Sequence, residues 1–312
     1  MVSFSNTQLD RITVDHAVVP VIAVAARCKA STAVVAKYVM PDTTSVPVDS
    51  LRSNGRWTRE QLKLAFHLYC QTPFGRLHSR NLEIIELAEL IGRTPSALAM
   101  KLSNFASLDP AILATGRRGL AGSSVLDREI WEEFRTDWER LALECEQLRQ
   151  KILRERGQQD KDILEIDNYF MPGDYSGETR RAIVQQRIKQ AFFRRSVLAS
   201  YGGRCCISGV SDARFLVASH IVPWSKDKAN RLNPSNGLCL SSIHDRAFDQ
   251  HLFSLTDDHH ILLSVQLKES KDTFLQQIFW PLEGHSIELP DKFHPAPELL
   301  RRHRETMLSH TT

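Results

Sequence analysis

Three polar residues stand at intervals that suit joint chemistry. His220 lies within an apolar run, Phe215-Leu216-Val217-Ala218-Ser219-His220-Ile221-Val222-Pro223-Trp224. Asn236 follows sixteen residues later, and His244 a further eight. An imidazole is largely neutral at pH 7 and can take a proton from water. Isolated histidines are more often packed or surface residues, and twelve of them in one chain make chance spacings easy. The elements around these three carry the weight. The run to His220 reads as a strand. Residues 225–235 are polar and turn-prone. Asn236-Gly237 suits a turn, Leu238-Cys239-Leu240 a short strand, and 241–249 the start of a helix. The order is strand, loop, strand, helix.

At this point the residues resemble the HNH endonucleases, whose core is a ββα-metal unit. The resemblance rests on the His-Asn-His intervals and on the words Ser219-His220-Ile221-Val222-Pro223-Trp224, Asn236-Gly237-Leu238 and Phe248-Asp249. Upstream, Tyr201-Gly202-Gly203-Arg204-Cys205-Cys206-Ile207-Ser208-Gly209 is similar to the entry of such domains. It covers roughly residues 180–305, and the words look like the restriction-type branch. The resemblance implies His220 as general base, Asn236 as the residue that orients the base or ties down its loop, and His244 as a metal ligand. It implies hydrolysis of a phosphodiester by water, with a divalent cation neutralising charge on the phosphoryl and leaving oxygens. Many members carry Asp or His just before the base, where this chain has Ser219. The second ligand is therefore sought on the following helix, with Asp249 the first candidate and Asp245 the second. Asp249 lies about 500° of helical rotation from His244, so the two share a face poorly. Arg246 is a candidate for the scissile phosphate, or else a surface partner of Asp245 or Asp249.

The preceding segment favours an anionic partner. From Glu178 to Arg204 there are seven basic residues and one acid, +6 locally against +3 for the whole chain. Arg187, Arg194 and Arg195 are the candidate phosphate contacts there; a solvated helix face is the ordinary alternative. Further upstream, Ile84 to Leu98 with Gly92 between resembles a helix-turn-helix unit. Its second helix would offer Arg93 and Lys101 to phosphates and Asn104 to a base edge. A plain helical hairpin is the alternative. Residues 126–156 read as one charged amphipathic helix, packed on its own domain or pairing with a second copy.

Composition sets the outer bounds. The chain has 312 residues, 42% hydrophobic and 25% charged, enough for a sizeable core. No run of 18 apolar residues suggests a membrane span. Six cysteines without a CxxC pair fit a reduced, cytoplasmic thiol set better than a disulfide or four-cysteine zinc framework. The expected fold is α+β: an unassigned extension at 1–55, a mainly helical domain at 56–156, a linker at 157–177 and the nuclease domain at 178–305. The expected activity is metal-dependent DNA cleavage of restriction or defence type. The cofactor would be Mg²⁺ or Mn²⁺, although an imidazole ligand also admits Zn²⁺ or Ni²⁺. A homodimer would make two nicks. The rival reading is a DNA-binding regulator with a weak or inactive nuclease site.

Overall fold

The computed structural model describes residues 55–117, 119–157 and 177–309, without the side chains of 177–180. The extension at 1–55, apart from Gly55, and the interior of the 157–177 linker lie outside the described residues. Those described belong to one compact unit, Val46–Thr312.

Helix α1 (Arg59–Gln71) opens with a capping box in which Thr58 and Gln61 satisfy each other's backbone NH groups. Asn81 caps α2 (Leu82–Leu90), and Thr94 caps α3 (Pro95–Ala106), whose first residue is proline. Gly92 turns between them at φ +69°, a conformation a side chain would strain. A short α4 (Pro110–Ala114) follows. The single helix expected over 126–156 is two, α5 (Val125–Thr136) and α6 (Trp138–Glu155). Asp137 breaks it at φ −153°, because its carboxylate accepts from the Arg140 NH and starts a new helix instead of continuing the old one.

The long basic helix α7 (Gly177–Ser200) leads to a hairpin of β1 (Leu216–His220) and β2 (Gly237–Ser241). The strands are antiparallel, and His220 faces Gly237 in the register. Helix α8 (Ser242–Asp249) leaves β2 directly and packs on both strands. A second hairpin, β3 (Phe253–Leu255) with β4 (Ile261–Leu263), is followed by α9 (Val265–Lys268), α10 (Thr273–Phe279) and α11 (Pro297–Ser309).

The helical and nuclease-like parts do not build separate cores. Phe66 of α1 touches Phe105, Trp131 and Phe134, with ring centroids 5.0, 5.2 and 4.6 Å away. Phe293, far along the chain, stacks on Trp131 at 6.2 Å and meets Tyr69 and Trp138 edge-on. Phe192 of α7 lies against Trp138 and His67. Each such ring buried contributes about 1.5–3 kcal/mol, so the two expected domains are welded through one apolar cluster. The same packing consumes Ile130, Trp131, Phe134, Trp138, Leu141 and Ile152. The stripe expected to pair with a second copy is thus committed inside its own chain.

Lys292 completes the weld. Its ammonium is fully buried and donates to the carbonyls of Tyr69, Cys70 and Thr72 at 2.5, 3.2 and 2.7 Å. These carbonyls lie at the end of α1, where the helix offers no i+4 donor; that of Tyr69 also accepts from the Thr72 NH at 3.3 Å. Burial pulls the Lys292 pKa down to about 8.

Candidate active site

His220 is the last residue of β1, and its ring is fixed on three sides. Phe193 of α7 stacks on it at 3.8 Å between centroids and 7° between planes. Trp224 meets it edge-on at 5.8 Å. Its Nε2 lies 3.0 Å from the Arg231 carbonyl. A carbonyl only accepts, so Nε2 carries the proton and Nδ1 keeps the lone pair. Burial lowers the His220 pKa, the Arg231 contact opposing it, so the ring is neutral at pH 7. Gly237 makes this stacking sterically feasible. A Cβ there would meet Val197 at 2.3 Å and Phe193 at 3.0 Å, so only glycine lets α7 come this close to the hairpin.

Asn236 is fully buried and holds the loop that presents the Arg231 carbonyl. Its Oδ1 accepts from the Val222 NH at 2.9 Å, and its Nδ2 donates to the carbonyls of Val222 and Asn230 at 3.0 and 3.1 Å. Both ends of the 222–230 segment are therefore tied to one carboxamide. Within it, Asp227 accepts from the backbone and side chain of Asn230, and the Arg231 Nε donates to the Trp224 carbonyl at 2.9 Å.

The expected metal pair, His244 and Asp249, is not brought together. His244 is 4% exposed and turned into the core, whereas Asp249 is exposed. The His244 Nδ1 lies 2.8 Å from the Ser241 hydroxyl and 3.6 Å from the Cys205 sulfur, and Phe279 meets its ring edge-on. The Cys205 thiol is drawn down to about 6; burial raises it, and its contacts with His244 and Ser208 outweigh that. The reason for the separation is helical geometry: five residues do not return to the same face.

Asp245 and Asp249 do share a face, being four apart. Both carboxyls are held above their ordinary range, first by partial burial, and Asp249 also by the Asp245 charge beside it. The Arg246 charge opposes the rise at both. The Asp245 carboxyl faces Ser219, the residue before His220. The Ser219 Oγ is buried and makes no hydrogen bond of normal length among the described residues. Two neighbouring carboxylates beside the buried Ser219 hydroxyl form an oxygen-rich donor set of the kind a hard cation takes. Mg²⁺ is commonly bound by one or two carboxylates together with water and substrate phosphate. No group of three or more His, Cys, Asp or Glu able to hold a metal occurs among the described residues. The i, i+4 spacing of Asp245 and Asp249 is legible in the sequence.

The other expected contacts divide. Lys101 is not available to phosphate: it is buried, and both Asp127 carboxylate oxygens take its ammonium, at 2.9 and 3.0 Å. Arg93 turns back onto Gln61 and the Gly55 and Arg56 carbonyls, with its guanidinium 4.8 Å above Trp57. The outward face of α3 thus loses both cations expected of it, and Asn104 is half-buried. Arg194 is exposed but donates to the Leu216 carbonyl at 2.9 Å, bracing α7 against β1. Arg195 and Arg246 are exposed and Arg187 is half-buried.

Residues 205–256 match the family model described as HNH endonuclease. This segment, with both strands of the first hairpin and α8, is accordingly assigned to the HNH endonuclease family. No curated protein matches the chain. No helix among the described residues is long and apolar enough to cross a membrane.

Proposed function

We propose that the HNH domain of this chain hydrolyses DNA phosphodiester bonds, with His220 as the base that activates water. The observation that carries this reading is the His220 ring itself: neutral, clamped by Phe193 and the Arg231 carbonyl, with Nδ1 left as its basic atom. A base held in one tautomer and one orientation is what proton abstraction from water needs. Ser219, which faces Asp245, is the strand neighbour of His220, so the carboxylates and the base belong to the same end of β1 although consecutive strand side chains point to opposite faces.

Asp245 and Asp249, with the Ser219 hydroxyl, would hold a divalent cation. When bound, such an ion neutralises charge on the phosphoryl group and on the departing sugar oxygen. The oxygen-only donor set favours Mg²⁺ or Mn²⁺ over Zn²⁺ or Ni²⁺. In this reading Asn236 keeps the Arg231 carbonyl at the base, and His244 packs the helix rather than ligating. Arg246 beside the carboxylates, and Arg187 and Arg195 on α7, supply phosphate contacts. A restriction or defence role is the biological setting we attach to this activity, on the resemblance of the motif words alone.

One observation favours a second reading. With no three metal-ligating groups together among the described residues, the chain would serve as a DNA-binding regulator with a weak site. Supercoiled plasmid incubated with Mg²⁺, with Mn²⁺ and with EDTA, alongside His220→Ala and Asp245→Asn, separates the two. Metal-dependent nicking lost in both variants supports the nuclease. Salt-sensitive DNA binding without cutting in any metal supports the regulator.

A further inference from the structure

One carboxylate of the helical part reaches both sides of the clamp around His220. Glu139 stands in the first turn of α6, directly after the break that Asp137 makes. Its Oε1 accepts from the Lys189 ammonium of α7, and its Oε2 lies 3.9 Å from a guanidinium nitrogen of Arg231. Lys189 stands one helical turn before Phe193 on the same side of α7, and Phe193 is the ring stacked on His220. Arg231 supplies the carbonyl that accepts from the His220 Nε2.

Both arms of this bridge are seated. Trp138, the neighbour of Glu139, packs on Phe192 at 6.4 Å, so α6 meets α7 at two successive positions. The Arg231 side chain is held as well by its Nε, which donates to the Trp224 carbonyl at 2.9 Å, and its guanidinium lies 5.5 Å above the Trp224 ring. Trp224 is the ring that meets His220 edge-on. Phe193, Trp224 and the Arg231 carbonyl therefore each connect to the Glu139 carboxylate through Lys189 or Arg231. Glu139 is 31% exposed, and ion pairs this wet add little to global stability. What they fix is the position of Arg231 relative to α7.

We propose that Glu139 is a positioning residue for the base: it holds Arg231 against α7, so that the Arg231 carbonyl and the Phe193 ring stay on His220 together. The proposal rests on the reading of His220 as the base. It makes the helical part a component of the reacting centre, and it removes Lys189 from the cations free to meet phosphate.

The test uses the full chain and two readouts, one of which needs no cleavage. Long-range proton–nitrogen NMR spectra of the metal-free protein in mildly alkaline buffer report the tautomer of each neutral imidazole, and His220→Ala assigns the signal. The wild type should show His220 as the Nε2–H form alone, and Glu139→Gln a mixture with the Nδ1–H form. Single-turnover cleavage of a labelled duplex should be about tenfold slower in Glu139→Gln, with DNA affinity in EDTA and melting temperature close to wild type. Arg231→Gln should also be slow, and the double variant no slower than Arg231→Gln alone, because both act through one contact. Glu144→Gln, which breaks a different α6 pair, that with Lys63 at 2.7 Å, should leave tautomer and rate at wild-type values. An unchanged tautomer and rate in Glu139→Gln would overturn the proposal, since the loop tied by Asn236 would then hold the base unaided. Losses that simply add in the double variant would overturn it too, and so would a Glu144→Gln variant as slow as Glu139→Gln, which would mean a general loosening of α6. If the wild type cuts no DNA in any metal, the nuclease reading falls, and the tautomer spectra still decide whether Glu139 fixes the ring.

Discussion

A side chain's neighbours decide what its chemistry can be, and His220 and His244, sixteen residues before and eight after Asn236, illustrate the two extremes. His220 is stacked, tautomer-fixed and neutral; His244 is sunk against Ser241, Cys205 and Phe279. Substituting them should therefore have different consequences. Asp245→Asn should abolish Mn²⁺ binding measured by calorimetry on the isolated protein. His244→Gln should lower stability by about 1–3 kcal/mol through lost buried contacts while leaving the Mn²⁺ affinity in place. Loss of Mn²⁺ binding in His244→Gln would return His244 to the ligand set. Asn236→Asp replaces the donor to the Val222 and Asn230 carbonyls with a charged acceptor. It should cost roughly a hundredfold in cleavage, since a displaced Arg231 carbonyl no longer holds the base. Equal rates for Asn236→Asp and wild type in a single-turnover assay would show that the loop does not orient His220.

Elements place those residues, and the hairpin is placed by a missing side chain. Gly237 stands opposite His220 and gives Phe193 the room to stack. Gly237→Ala should destabilise the protein by about 1–3 kcal/mol through overpacking and also slow cleavage, because α7 must back away from the ring. Urea denaturation reads the first effect and plasmid nicking the second; a silent alanine would mean that α7 is free to move. Strand, loop, strand and helix over 215–249 were legible in the sequence because β-branched runs, the Asn-Gly turn and the spacing are local signals. The break at Asp137 was not, since an aspartate inside an amphipathic pattern is also an ordinary solvent-facing residue until its carboxylate is seen to cap Arg140. Nor was the fate of Lys101: a lysine on the outer half of a helix looks free, and only the fold brings Asp127 to it.

At the scale of the whole molecule, burial of neutral imidazoles ties stability to pH. His67 lies against Phe192 between α1 and α7, and its pKa falls to about 3, through burial first and the nearby Arg149 and Arg195 charges second. His303 also falls to about 3, from burial and then from His251. The unfolded chain protonates near 6.5, so it binds protons that the folded chain refuses. The stabilisation is whole above pH 6.5 and is lost as pH falls toward 3, by about 1.4 kcal/mol per pH unit for each group. Melting temperature should drop steeply below pH 6.5, and His67→Gln should flatten that slope. A wild-type profile flat to pH 4 would show that these rings stay accessible to protons. The contact across the expected domain boundary was not legible: nothing near Lys292 or Phe293 in the sequence says that Lys292 meets Tyr69, Cys70 and Thr72 some 220 residues earlier.

That reach has a meaning in time. A ribosome adds about 5–20 residues per second, so the end of α1 waits roughly 10–45 s after its own synthesis before Lys292 arrives to satisfy its carbonyls. During that wait Phe293 is also absent from the aromatic cluster, and α11 is not yet made. The groups that hold His220, by contrast, are all made by residue 236. The joint core is therefore closed by residues made more than two hundred positions after the helix end they cover.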